Sequence, residues 1–181
     1  VRQIITNGAT ASSKNGVVDS GAAYVFVRRS GTWAQQAYLK AANAEASDGF
    51  GSTIGMAGDT MVVGASGEDS NAVSITNGAT ASNDNSAAGA GAVYVYVRSG
   101  SAWAQQAYLK AANAEASDGF GSVVDITSDT IVVGASGEDS SAQAITNGAT
   151  ASNDNSAAGA GAVYVYVRSG SAWAQQAYLK A

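Results

Sequence analysis

The sequence repeats itself every 70 residues, and this period constrains the fold more than any other feature. Trp33, Trp103 and Trp173 hold the same place in successive copies, and segment 75–111 recurs unchanged as 145–181. A unit of this length is one supersecondary structure that cannot bury its own apolar faces, so neighbouring copies must stack. The chain holds about two and a half copies, which predicts a piece of a larger array or one part of an assembly.

Each copy contains four segments with the apolar patterning of β-strands. In the clearest segment, Val163 and Val165 alternate with Tyr164 and Tyr166, so valines point to one side and tyrosines to the other. The pattern predicts strands at 21–28 and 32–40 in the first copy, at 50–57, 60–66, 91–98 and 102–110 in the second, and at 120–127, 130–136, 161–168 and 172–180 in the third.

Inner strands that are apolar on both sides need cover on both sides, which favours the blade of a β-propeller. A β-sandwich would show half-buried alternation in most strands, and a β-helix would have a shorter repeat. We therefore predict an all-β fold of β-propeller blades, each a four-stranded antiparallel sheet, with about two and a half blades in this chain. The expected units are a half blade of two outer strands with a leading loop at 1–49, and full blades at 50–119 and 120–181.

Two and a half blades cannot close a ring, and their open flanks would expose valine and tyrosine side chains. The sequence therefore predicts that flanking repeats or other copies of the chain complete the packing. Near-identical copies present near-identical interfaces, so both a closed ring and an open filament of copies joined head to tail are compatible with the sequence.

The composition excludes several classes of function. The chain contains neither cysteine nor histidine, which removes thiol chemistry, the usual general base and imidazole metal ligands. Its 14 acidic and 9 basic residues give a formal net charge of −5, without a basic run suited to nucleic acid. No apolar run reaches the roughly 18 residues of a membrane span. We predict a protein that is not an enzyme, with no nucleic acid partner and no membrane span.

Two motifs punctuate each copy. One is Asp118-Gly119-Phe120-Gly121-Ser122, and the other is Val133-Gly134-Ala135-Ser136-Gly137-Glu138-Asp139. Both recur in the second copy, at 48–52 and 63–69. Phenylalanine would plug the space between blades and the glycines would allow close backbone approach, so these residues have a structural explanation. The motif positions are Phe50, Gly51, Gly64, Ala65, Phe120, Gly121, Gly134 and Ala135.

These motifs resemble the FG-GAP repeat of integrin α-subunit propellers, and more closely its relatives in bacterial surface and secreted proteins. The resemblance covers essentially the whole chain, with four elements in fixed order. It implies a seven-bladed propeller, an extracellular or cell-surface location, and a role in adhesion or recognition. One departure is that Ser66 and Ser136 stand where the motif has proline, so the turn loses its fixed φ.

The resemblance also raises the question of calcium, because integrin-type blades often carry an Asp-rich loop between their first two strands. Here that loop is only 58–59 or 128–129, which is too short and too poor in acids. Acidic and amide side chains at the two ends of the long loop form another candidate Ca²⁺ site. Its members are Glu68, Asp69, Asn83, Asp84 and Asn85, and in the next copy Glu138, Asp139, Asn153, Asp154 and Asn155.

The alternative to calcium is turn chemistry alone, since Asp and Asn favour turns through their own side-chain hydrogen bonds. The first copy weakens the calcium hypothesis, because Ser13, Lys14 and Asn15 replace Asn-Asp-Asn and place a positive charge there.

The long loops, 66–90 and 136–160, far exceed a hairpin connection, so they are functional, disordered or contain strand pairing of their own. Their near-identity favours a repeated contact. We predict a non-catalytic extracellular repeat module for structure or adhesion, whose partners are copies of itself, flanking repeats, or a cell-surface or matrix component. The sequence leaves open a subunit of an extracellular filament and a Ca²⁺-dependent recognition propeller.

Overall fold

The structure, a computed structural model, describes residues 5–11 and 16–181. These residues form 13 β-strands and no helix. They therefore contain no helix that is long and apolar enough to cross a membrane. The strands build three antiparallel sheets in chain order, which confirms the predicted all-β fold of blade-like sheets.

The first sheet contains β1 (Ile5–Asn7), β2 (Ala23–Arg29) and β3 (Thr32–Leu39), in the order β1-β3-β2. The second contains β4 (Thr53–Ala57), β5 (Thr60–Ala65), β6 (Thr76–Asn77), β7 (Ala92–Ser99) and β8 (Ala102–Leu109), in the order β4-β5-β7-β8-β6. The third repeats this arrangement with β9 (Phe120–Thr127), β10 (Thr130–Ala135), β11 (Ile145–Asn147), β12 (Ala162–Ser169) and β13 (Ala172–Leu179).

The second and third sheets have five strands, one more than predicted. The additional strands β6 and β11 lie in the long loops and pair with the outer strands β8 and β13. Of the three possibilities for these loops, pairing of their own is therefore observed. The strand β4 begins at Thr53 rather than at residue 50, whereas its equivalent β9 begins at Phe120 as predicted.

The core lies between the sheets. Val93 and Val95 lie on one side of β7, which we call the valine face, and Tyr94 and Tyr96 lie on the other, the tyrosine face; the corresponding sides of the other sheets keep these names. The valine face of the first sheet packs on the tyrosine face of the second in one buried cluster. The valine face of the second packs on the tyrosine face of the third in another. Each of these two sheet–sheet contacts is called a junction below.

A close backbone contact between a glycine and the motif phenylalanine joins each sheet to the next, and we call it the glycine–phenylalanine crossing. Gly91 pairs with Phe120, and Gly21 pairs with Phe50, each as an isolated parallel bridge. A Cβ added at Gly91 would lie 2.1 Å from the Phe120 carbonyl oxygen, so only glycine fits there. The bridge aligns successive sheets.

Candidate functional site

A buried carboxylate lies in the turn after the second strand of each complete sheet. Glu68 follows β5, and its backbone N–H donates to Ala65 while its carbonyl accepts from Gly91. These two bonds turn the side chain inward, and Glu68 is 1% exposed. A buried carboxylate needs hydrogen-bond donors or a cation as partners, and these partners decide what the site can do.

Both oxygens of the Glu68 carboxylate are occupied by protein groups. The Oε1 atom accepts from the Tyr108 hydroxyl and from the Asn43 amide, each at 2.8 Å. The Oε2 atom accepts from Lys110 Nζ at 3.0 Å and from the Ser70 N–H at 3.2 Å. The ammonium is itself buried, which makes this an enclosed ion pair.

The remaining groups around this ion pair are also satisfied. Lys110 Nζ donates a second bond, of 2.6 Å, to the Gly91 carbonyl. The Tyr94 hydroxyl donates to Asn43 Oδ1 at 2.5 Å. Since Asn43 follows the first sheet and Tyr94 lies in the second, the set spans the junction. We call Asn43, Glu68, Tyr94, Tyr108 and Lys110 the junction network.

The third sheet carries the same network with nearly the same distances. Glu138 accepts from Tyr178 at 2.8 Å, from Asn113 at 3.0 Å and from Lys180 at 2.9 Å. The Tyr164 hydroxyl donates to Asn113 at 2.6 Å. This repetition shows that the network belongs to each complete junction.

Burial shifts the proton affinities of these groups. It lowers the pKa of the Lys110 ammonium, and the Glu68 carboxylate opposes that shift. Burial also raises the pKa of Tyr94 and of Tyr108, with Glu68 adding to both. At neutral pH these hydroxyls stay protonated and act as donors.

A second buried carboxyl lies in the segment that leads to the motif phenylalanine. Burial raises the pKa of Asp48 to about 6, although the hydrogen bond from the Glu45 N–H, at 2.7 Å, partly offsets this. Asp118 in the next copy has the same raised pKa of about 6 for the same reason, and it accepts from the Glu115 N–H at 2.8 Å.

The residues of the candidate calcium site do not converge on one point. Glu68 is held in the junction network, while Asp69 Oδ1 accepts from the Gly89 N–H at 2.8 Å. Asp84 Oδ2 closes a turn by accepting from the Asn71 N–H at 2.9 Å and from the Ser86 hydroxyl at 2.9 Å. These hydrogen bonds within the turn lower the pKa of Asp84.

The amide residues of that site are directed elsewhere. Asn85 donates to Glu45, Asn155 donates to Glu115 at 2.5 Å, and Asn83 and Asn153 are exposed. In the third sheet, Asp139 accepts from the Gly159 N–H and Asp154 accepts from Ser141 and Ser156.

The described part of the chain contains no group of three or more acids that could hold a metal ion. The residues present therefore do not fit a shared calcium site, because a lysine and a tyrosine already bond Glu68 and Glu138, the buried acids of the two candidate sites. Residues 13–15, which weakened the hypothesis in the first copy, lie outside the described residues. The calcium hypothesis itself is left to metal removal as its test.

The motif residues lie at the junctions. Phe50 is buried edge-on against Tyr94 and Tyr96, with ring centroids 5.3 and 6.1 Å apart, and Phe120 packs in the same way on the third sheet. A Cβ added at Gly64 would lie 2.3 Å from the Gly121 carbonyl oxygen, so these backbones meet closely. Gly134 has more room, and Ala65 and Ala135 are fully buried.

A second polar contact joins the sheets at their outer edge. The Asn7 side chain accepts from the Trp103 N–H at 2.8 Å and donates to the Trp103 carbonyl. Trp103 Nε1 donates to Gln36 at 3.0 Å. The same three contacts hold Trp173 to the second sheet, through Asn77 and Gln106. The two tryptophans are thus clamped to the preceding sheet.

Sequence reasoning missed Asn43, Tyr108 and Lys110 as partners of Glu68. Lys110 ends the predicted strand 102–110, but in the structure it follows β8 and its ammonium is buried in the junction. The available signal was the recurrence of the pair with the same 42-residue separation, Glu68 with Lys110 and Glu138 with Lys180. That recurrence is compatible with any role, so it did not identify the ion pair.

A comparison with known families agrees with this geometry. A family model described as FG-GAP repeat matches residues 33–96 and again residues 103–166, which together span most of the chain. No curated protein matches this chain. Each match includes one motif phenylalanine, Phe50 or Phe120, and the turn that holds the buried glutamate. The chain therefore belongs to the FG-GAP repeat family, and its sheets are β-propeller blades.

Proposed function

We propose that this chain is a non-catalytic extracellular module that serves structure or adhesion. FG-GAP repeats are typical of extracellular or surface proteins with adhesive or recognition roles, and the family is generally non-enzymatic. Membership of the FG-GAP repeat family supports the extracellular location and the non-catalytic class of function. The packing of the sheets on each other supports the structural role.

The observation that carries the proposal is the full use of the buried polar groups in packing. Glu68 and Glu138 have the burial of catalytic carboxyls, but each is bound by a lysine, a tyrosine, an asparagine and a backbone N–H. A carboxylate with this set of partners has no free oxygen for a substrate proton. These groups are therefore suited to joining blades.

The long loops supply the repeated surface that an adhesive function needs. Segments 75–86 and 145–156 are identical in sequence, and Asn83 and Asn153 are exposed without a side-chain hydrogen bond among the described residues. Two identical surfaces on one chain give multivalent binding, in which the second contact gains from the effective concentration set by the first.

Adhesion of coated beads to cell-deposited extracellular matrix tests the proposal. Beads that carry the 181-residue chain should stay bound under flow, while the soluble chain competes only at higher concentration. The double variant Asn83→Lys with Asn153→Lys should release the beads, because it alters the same exposed position of both loops.

The matched control is Ser99→Lys with Ser169→Lys, which adds the same charge at exposed hairpin ends of the same two sheets. This control should adhere like the unaltered chain. Equal adhesion by the loop variant would remove the loops from the function, and no adhesion by the unaltered chain would remove the adhesive role.

A further inference from the structure

The tyrosine face of the first sheet is uncovered, although its counterparts are core. Tyr24, Phe26 and Trp33 are 50%, 54% and 66% exposed. Their equivalents in the two following sheets are buried in the junctions, where Trp103 and Trp173 are each 2% exposed. Contiguous exposed aromatic side chains of this kind mark an interaction surface.

The valine face of the third sheet is the matching uncovered surface. Val163 is 37% exposed and Val132 is 40% exposed, whereas Val93 and Val62 at the same positions of the second sheet are fully buried. Each junction within the chain joins one valine face to one tyrosine face. The two uncovered surfaces are therefore the two halves of one further junction.

The polar contacts of such a junction are also present and unused. Asn147 and Gln176 are exposed, and neither side chain makes a hydrogen bond among the described residues. At the two internal junctions, the asparagine and glutamine at these positions clamp the next tryptophan. Trp33 is the one tryptophan without this clamp in the described part of the chain.

One sequence difference between copies favours the first sheet as the occupant over another complete blade. Gly55 lies on the valine face of the second sheet, and a Cβ there would come within 3.3 Å of Ile126 on β9. The third sheet has the exposed Asp125 at this position. An inner strand packed there would bury that carboxylate. The first sheet consists of β1, β3 and β2 among the described residues, so it would leave Asp125 in water.

We propose that the valine face of the third sheet binds the tyrosine face of the first sheet in a second copy of this chain. Asn147 would bond the backbone of the partner's Trp33, and Gln176 would accept from the indole N–H of the partner's Trp33. This contact joins two different surfaces, so each added copy presents a new open face. The inference deepens the structural part of the proposed function and rests on it.

Sedimentation of the 181-residue chain over a range of concentrations tests the inference. The average mass should rise with concentration in multiples of one chain. Trp33→Ser removes the largest side chain of the tyrosine face, and Val163→Lys places a charge on the valine face. Each variant alone should need at least about tenfold higher concentration to associate. Both side chains are exposed, and circular dichroism checks that the fold is retained.

Mixing the two variants gives the sharper test. The intact valine face of the Trp33→Ser chain should bind the intact tyrosine face of the Val163→Lys chain, so an equimolar mixture should stop at two chains. Val73→Ser is the control, because Val73 is exposed in a loop of the second sheet and is replaced by Gln143 in the third. It should associate like the unaltered chain.

The inference is overturned if either variant alone associates like the unaltered chain, or if the mixture forms no two-chain complex. A chain that stays monomeric at every concentration also overturns it, and leaves a flanking repeat of the same polypeptide as the occupant. The bead assay is independent of these outcomes, because it measures contact through the loops.

Discussion

Lys110 illustrates how a single charged residue is made compatible with a protein interior. Its ammonium is fully buried, and it is neutralised by Glu68 and bonded to the Gly91 carbonyl. Such a pair adds little net stability over an apolar pair of similar volume, but removal of one partner leaves an uncompensated buried charge. The main energetic effect of the pair is therefore the large loss of stability expected when one partner is removed.

We expect Lys110→Met to destabilise the chain by about 3–5 kcal/mol, because Glu68 would remain buried without its cation. For a chain of this size the melting temperature should fall by roughly 6–20 °C. The control is Lys40→Met, since Lys40 donates to Ser20 and Gly21 and makes no salt bridge among the described residues. An equal loss in both variants would contradict the role of the ion pair.

The second residue-scale prediction concerns pH. Asp48 and Asp118 have pKa values of about 6 in the fold, above the ordinary value of 3.8. Between these values the folded chain holds protons that the unfolded chain has lost, so stability falls as pH rises through this window. The stabilisation that comes from the protonated forms of Asp48 and Asp118 is complete below the unfolded pKa of 3.8 and is lost above about pH 6.

We therefore expect Asp48→Asn with Asp118→Asn to reduce the loss of melting temperature between about pH 4 and pH 6.5. Asn keeps the acceptor for the Glu45 and Glu115 N–H groups. Asp154 has a pKa lowered to about 2 and acts in the opposite direction, but only below about pH 4. The same pH slope in variant and unaltered chain would exclude these carboxyls as its source.

Residue-level contacts were the least predictable part. The members of the junction network lie in three separate segments, and no local pattern connects Asn43 with Tyr94 or Glu68 with Lys110. The sequence indicated acids and amides at the loop ends, which left a calcium site and turn chemistry as alternatives. The structure instead places a lysine ammonium against the buried glutamate, which only tertiary packing reveals.

At the scale of the elements, the alternation of side chains in the sequence identified the main strands. The pairing of the short strands became visible only in the fold. The valine–tyrosine alternation of β12 placed both faces correctly, because the side-chain period of a strand is two. The two-residue strand β6 was missed, since Thr76 and Asn77 carry no periodic signal within a polar loop. Its pairing with β8 is set by the neighbouring strand and not by its own sequence.

The glycine–phenylalanine crossing allows an element-scale prediction. Gly91→Ala should destabilise the chain strongly, because its Cβ would collide with the Phe120 backbone and its φ is 81°. Gly100→Ala is the matched control, since Gly100 also has a positive φ but no atom within 4 Å of the added Cβ. We expect about 1 kcal/mol for the control, from backbone strain alone, and clearly more for Gly91. Urea denaturation measures both, and similar losses would remove the close contact as a constraint.

At the scale of the whole molecule, the period of 70 residues was enough to predict stacked sheets in an incomplete propeller. What the period could not supply is the direction of stacking, in which the valine face of one sheet meets the tyrosine face of the next. That direction depends on which side of each sheet receives the motif phenylalanine.

Whether calcium stabilises the chain is tested by the thermal unfolding of the whole molecule. Because Lys110 and Lys180 already neutralise the buried glutamates, we expect excess EDTA to leave the thermal transition of the whole chain unchanged. The measurement compares melting temperatures with EDTA and with added Ca²⁺ by calorimetry. A lower transition in EDTA would restore the cluster at the ends of the long loops as a metal site, despite its present hydrogen bonds.

The crossing from Gly91 to Phe120 has a genetic consequence. Both internal boundaries use the same residues at the same spacing, so duplication or deletion of one whole copy would leave every remaining boundary chemically intact. An insertion of any other length between the glycine and the phenylalanine would shift one partner away from the other. Natural variation in such genes should therefore change the number of copies far more readily than the size of one.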